Sequence, residues 1–185
     1  MKTTIGNVRS IDVKFKNQDG GRNMREEDVS MIEIVKSKEL GDVQFVRYFL
    51  SLGELKKEII PIVLFQTYSF FKALNQGEEL DYLYASADGQ VEKILITGKS
   101  STEVIANFVF DFTPNVKQPI KKVEIVGSKG MYQLDTTAEV NFYSDVVGNQ
   151  IKFDFSDPSE EAQQFFNKIK TSISQNQKVL LGGGQ

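Results

Sequence analysis

Chemistry in this chain has few residues to start from. The 185 residues include no histidine and no cysteine, which excludes imidazole general bases, thiol nucleophiles, Ser-His-Asp arrangements and metal centres built on His or Cys. Carboxylates, lysines and tyrosines remain. Acidic residues cluster at Glu26-Glu27-Asp28, at Glu78-Glu79-Asp81 and at Asp154 with Asp157. Two carboxylates held across a cleft would do glycosidase-type work. Each cluster here falls in a polar loop or beside a helix start, where solvation or capping accounts for it. Phosphate cradles of the GxGxxG and GxxxxGK[ST] kinds are absent from the sequence. The run Gly127-Ser128-Lys129-Gly130 is only GxxG between two strand patterns, so it reads as a hairpin turn with no helix behind it to receive an anion.

The charge balance narrows the partners. With 22 basic and 25 acidic residues the net charge is −3, and no basic cluster marks a nucleic-acid footprint. Lys117, Lys121 and Lys122 form the densest basic stretch, and their alternation with apolar residues reads as a solvated strand face. No apolar run reaches the roughly 18 residues of a membrane span, and the N-terminus lacks the apolar stretch of a signal peptide. Neither nucleic acid nor membrane is expected as a partner, and the expected location is cytoplasmic.

The elements that must position any site follow from periodicity. Ile11, Val13 and Phe15 alternate with polar residues as a strand. Lys16 to Asp28 reads as a long polar loop. The runs VSMIEIV and VQFVRYFLSL are two further strand candidates, parted by a turn at Glu39-Leu40-Gly41-Asp42. Pro61 opens the most apolar helix, which stops near Asn75 and Gly77. On it Val63, Leu64, Thr67, Phe70, Phe71 and Leu74 share one face, while Gln66, Ser69 and Lys72 lie elsewhere.

From Leu80 to Phe155 the pattern is strand after strand. LDYLYASA and VEKILIT flank the hairpin signal Asp88-Gly89. In STEVIANFVFDF, Val104, Ala106, Phe108, Phe110 and Phe112 point one way, and Ile105, Asn107, Val109 and Asp111 point the other. KKVEIV, MYQLD, AEVNFY and QIKFDF complete the series, with one side apolar and the other tolerant of water. A last helix has Asp157 as N-cap, Pro158 at its first position and Glu160 in a capping box. Its apolar stripe is Ala162, Phe165, Phe166, Ile169 and Ile173. The fold class is therefore α+β: a large, mainly antiparallel sheet with helices packed on one face and the other face open. A single domain is expected over residues 1–176, with 177–185 a mobile tail. Most of the 14 Phe and 6 Tyr follow these periods and belong to the core.

Four segments, in order, carry a resemblance. IKKVEIVGSKGMYQLDTTAEVNFY resembles the C-terminal domain of the glucose-fructose oxidoreductase, inositol dehydrogenase and MocA (Gfo/Idh/MocA) family of NAD(P)-dependent oxidoreductases, which shows an EIVGSKG hairpin at that place. IGNVRSIDVKF is similar to the strand that opens that domain, VIANFVFDF to its long central strand, and SEEAQQFFNKIKTSI to its late helix. The resemblance implies a substrate-side domain whose open sheet face pairs with a copy of itself, through Ile105, Asn107, Val109 and Asp111, to form a homo-oligomer. It also implies that NAD or NADP would be held by a Rossmann domain or a Rossmann chain, with no cofactor bound by this chain alone.

The departures are specific. No Glu-Lys-Pro motif occurs, and aligning the family's GVHxxD helix on IVLFQT puts Leu64 at the His position and Thr67 at the Asp position. The site face of that helix has become apolar, joined by Val63, Phe70 and Phe71, and the family's last helix is not evident. Two other readings stay open at this level: a two-chain oxidoreductase with a separate Rossmann partner, and a small-ligand binding or sensor protein with a pocket around Gln66, Thr67 and Tyr68.

Overall fold

A computed structural model describes residues 26–55, 57–89, 92–114, 119–136 and 159–181. In chain order the elements are helix α1 (Glu26–Lys36), strand β1 (Val43–Ser51), helix α2 (Ile60–Leu74), strands β2 (Leu80–Ala87), β3 (Lys93–Ser100), β4 (Ile105–Asp111), β5 (Ile120–Gly127) and β6 (Met131–Asp135), helix α3 (Glu160–Gln175) and strand β7 (Val179–Leu180). The strands form one sheet in the order β6-β5-β1-β4-β3-β2-β7. Every pairing is antiparallel except β1 with β4. The α+β class and the mainly antiparallel sheet expected from the sequence are what the chain forms.

Alternation decides which side of each strand faces the helices. Val46, Tyr48 and Leu50 of β1, Ile94 and Ile96 of β3, Ala106, Phe108 and Phe110 of β4, and Val123 and Ile125 of β5 are all buried in one cluster with the apolar residues of the three helices. Phe71 of α2 meets Phe108 edge-on at 5.9 Å, and Tyr48 meets Phe70 the same way at 5.7 Å. Each such ring contributes about 1.5–3 kcal/mol by leaving water, so the aromatic residues of β4 and α2 choose the covered face between them.

Three local expectations are corrected. VSMIEIV is helical, not a strand: Asp28, Met31, Ile32 and Val35 are its buried residues, an i, i+3, i+4, i+7 set that lines one face of α1. The β-branched composition favoured a strand, but packing against α2 selects the helical period. The N-cap of α3 is Ser159, whose side chain accepts from the Ala162 amide at 3.2 Å, and not Asp157, which lies outside the described residues. Helix α2 begins at Ile60, so Pro61 occupies its second position. At its far end Gln76, at φ +58°, and Gly77, at φ +93°, both take positive φ, and the Gly77 amide donates to the Lys72 carbonyl at 2.7 Å, which closes the helix.

The segment read as a tail contributes structure as far as it is described. Leu180 pairs with Tyr82 and Val179 with Leu83, Leu181 is buried, and the Lys168 ammonium donates to its carbonyl at 2.9 Å. The strand patterns at NVRSIDVKF, AEVNFY and QIKFDF fall outside the described residues.

Candidate functional site

The helix that would carry the family's catalytic pair is α2, and its inward face is closed. Leu64 is 1% exposed and Thr67 0%. The Thr67 hydroxyl donates to the Val63 carbonyl one turn back at 3.1 Å, which satisfies it without any ligand. Gln66 is only half-buried, on the helix flank, and is engaged by neighbouring protein groups. Tyr68 is buried and stacks on Phe165 of α3, with ring centroids 4.4 Å apart and planes 9° from parallel. No hydrogen bond of ordinary geometry reaches its hydroxyl. Burial pushes the Tyr68 hydroxyl well above the usual tyrosine range; the Glu79 carboxylate adds to this, and the nearby Leu80 backbone works against it. Gln66, Thr67 and Tyr68 are thus consecutive in sequence but look in different directions, toward the flank, the sheet and α3.

The other candidate chemistry resolves into structure. The GSKG turn closes through a Gly127 amide to Gly130 carbonyl bond of 2.8 Å, and its next two amides donate to the Asp42 and Leu40 carbonyls, each at 2.9 Å. Those amides serve the turn before β1, so they are not free to hold an anion. A side chain at Gly127 would stand 2.1 Å from the Leu40 carbonyl oxygen, which is why glycine is needed there. Glu79 pairs with Lys72 at 2.5 Å. No group of three or more acidic side chains fit to hold a metal occurs among the described residues.

Lys121 and Asp28 are the functional groups that sequence reasoning misplaced. Both were read as solvated, in a strand face and a loop, yet the Lys121 side chain is 0% exposed and its ammonium lies 2.5 Å from the Asp28 carboxylate of α1. The ammonium also sits 5.6 Å from the centre of the Tyr48 ring, a favourable position for a cation. A signal was present: Lys121 is in phase with Val123 and Ile125, whereas Lys122 is in phase with Glu124. An ion pair so deeply buried ties α1 to β5, because neither charge tolerates the apolar interior alone.

The open face of the sheet carries the remaining candidates. Ile105 is 43% exposed, Leu95 on β3 39% and Met131 on β6 56%. Asn107 and Val109 are half-buried between them, and the Asn107 amide donates to Thr97 at 3.1 Å. Asp111 is held at the strand end: burial works to raise its pKa, but the Thr113 hydroxyl and amide and nearby Lys93 prevail, so it lies below the ordinary carboxylate value. The four residues Ile105, Asn107, Val109 and Asp111 share the face opposite the helices. No described helix is long and apolar enough to cross a membrane.

No family model matches the sequence, and no curated protein matches it in sequence. Solved structures match its shape. A myo-inositol dehydrogenase from Corynebacterium glutamicum aligns over 86% of this chain at 13% identity with a TM-score of 0.63. A myo-inositol 2-dehydrogenase from Lactobacillus plantarum aligns over 85% at 12% identity and 0.60. A scyllo-inositol dehydrogenase from Lactobacillus casei, solved with NAD(H) and scyllo-inositol, aligns over 84% at 14% identity and 0.54. The chain spans 62% of the length of each of these dehydrogenases. At such identities the likeness is one of fold. The chain has the α+β fold of the C-terminal domain of Gfo/Idh/MocA-type dehydrogenases.

Proposed function

We propose that the chain is the substrate-side and oligomerisation domain of a Gfo/Idh/MocA-like NAD(P)-dependent oxidoreductase, with no hydride chemistry of its own. The observation that carries this reading is the closed face of α2. Leu64 and Thr67, which stand where the family places its His and Asp, are both sealed in the core. A proton-transferring group must reach the substrate, and a sealed threonine bonded to its own helix does not. The dinucleotide belongs to a Rossmann domain or chain, because this sequence has no glycine-rich strand-turn-helix unit to receive a pyrophosphate. The open sheet face, with Ile105, Leu95 and Met131 uncovered, supports self-association.

Calorimetric titration of the 185-residue chain with NAD and with NADP is expected to give no heat of binding, and micromolar affinity for either would reject the reading. Light scattering at about 50 µM, a concentration that populates ordinary dimers, is expected to show an oligomer, and a monomer there would reject the self-association. Val109→Lys puts a charge on the open face and leaves the helix-packed core alone, so it is expected to give a folded monomer.

A further inference from the structure

Helix α1 is tied to β5 at two places. Beyond its C-terminal end the Lys129 amide donates to the Leu40 carbonyl and the Ser128 amide to the Asp42 carbonyl, each at 2.9 Å, while the Asp42 amide donates to the Ser128 hydroxyl at 3.0 Å. Near its N-terminal end Asp28 meets Lys121, at the opposite end of β5. Lys121 and Gly127 stand about 20 Å apart along an extended strand. The helix from Asp28 to Lys36 covers about 12 Å of that span, and the turn to Leu40 supplies the rest. A backbone clamp holds one end of the helix and an ion pair holds the other.

Apolar burial leaves the rotation of α1 about its own axis open. At about 100° per residue, Val29, Met31, Ile32, Ile34 and Val35 cover about 220° of the circumference, more than one inward stripe needs. The structure buries Met31, Ile32 and Val35 and leaves Val29 and Ile34 half-buried on the flanks. Turning the helix by about 80° would bury Ile34 in place of Ile32 and carry Asp28 from the centre of the buried face toward water. That setting exchanges one isoleucine for another and avoids covering a carboxylate. It would also part Lys121 from Asp28, and Lys121 cannot follow, because the alternation of β5 keeps it inward in phase with Val123 and Ile125.

We propose that the Asp28–Lys121 pair selects the rotational setting of α1: Lys121, placed by the sheet, admits only the face of the helix that brings Asp28 to it. The pair chooses between two packings of similar apolar content, a use of buried charge that apolar residues of the same shape do not reproduce. The Tyr48 ring, 5.6 Å from the ammonium, narrows the choice, since a cation near a ring has a preferred place over its face.

The chain contains no cysteine, so one introduced thiol reports which face of α1 is covered. Ile32→Cys and Ile34→Cys are each placed in the full native chain and in a chain carrying both Asp28→Asn and Lys121→Met, which removes the two charges with little change of shape. Labelling by a thiol reagent is then timed. In the native background Ile34→Cys is expected to label at least about tenfold faster than Ile32→Cys, since a buried thiol reacts only on local opening. In the uncharged background that ratio is expected to fall to about one or below as the second setting fills. Methyl NMR of Ile32 and Ile34 reads the same choice without a thiol, with their signals doubled or shifted in the uncharged chain. An unchanged ratio and unchanged signals would overturn the proposal, because apolar packing would then set the helix unaided. Equal rates in the native background would contradict the setting itself. Two thiols that both label as fast as a free thiol in the uncharged chain, or loss of its folded circular dichroism spectrum, would make the pair an anchor and not a selector, and would equally reject the proposal.

Discussion

Lys121 and Lys122 are neighbours in the chain on opposite faces of one strand. The first is sealed against Asp28 beneath the helices, and the second is 45% exposed and pairs with Asp135 across the open face. The same side chain and the same kind of partner therefore serve two purposes. On the covered side the pair is desolvated, and removing one partner strands the other. On the open side water screens both charges and the pair contributes little to stability. The contrast extends to the whole sheet. The helix side seals Leu64 and Thr67 in the core, and the other side keeps Leu95, Ile105 and Met131 uncovered.

The most severe way to break the covered side is Thr67→Asp. A carboxyl placed there has to be protonated to be buried, about three pH units above its ordinary pKa, which costs about 4 kcal/mol at neutral pH. Urea denaturation is expected to show that loss, and an unchanged midpoint would mean the α2 face is lined by water. Lys121→Met is expected to cost about 3 kcal/mol through the stranded Asp28. Lys122→Met, the same change one residue on, is expected to stay within about 0.5 kcal/mol. Equal losses at the two positions would erase the distinction between the faces.

Tyr68→Phe gives the smallest and most diagnostic effect. The hydroxyl it removes is buried with no hydrogen bond of ordinary geometry and only the Leu80 backbone near it, so the change is expected to be neutral or to stabilise by under about 1 kcal/mol. Its pH dependence has a definite sign. The folded-state pKa is raised, so above about pH 10, where an unfolded tyrosine ionises, the unfolded chain releases a proton that the folded chain retains. Stability then falls as pH rises. Thermal unfolding between about pH 9 and 11 is expected to show a steeper decline for the native chain than for Tyr68→Phe, and identical slopes would place that hydroxyl in water.

The legible parts of the fold were those set by residues close in sequence. Strand β4 shows its two sides in the alternation of Phe108 and Phe110 with Asn107 and Val109, and α2 shows its buried face in the spacing of Val63, Thr67, Phe70 and Leu74. Helix α1 was missed because Val29, Ile32, Ile34 and Val35 favour strand geometry on their own, and the helical period emerges only once α2 offers a surface to pack on. Strand β7 was missed because two residues carry no periodicity. Of the candidate site, the inward placing of Leu64 and Thr67 was readable from the helical spacing of α2, but the buried pair was not, since Asp28 and Lys121 stand 93 positions apart.

By itself the sequence determined that imidazole and thiol chemistry are absent, that the chain forms an α+β domain, and that β4 has one aromatic side and one mixed side. These are consequences of residue type and local period, which need no knowledge of distant contacts. The tertiary structure alone decided that β1 enters between β4 and β5 as one half of the parallel pairing, that Lys121 is an interior charge, and that Arg47 and Glu124 stand side by side on the open face. Strand order and cross-strand register follow from long-range closure of the chain, in which many elements bury their apolar sides at once, so no local stretch of sequence contains them.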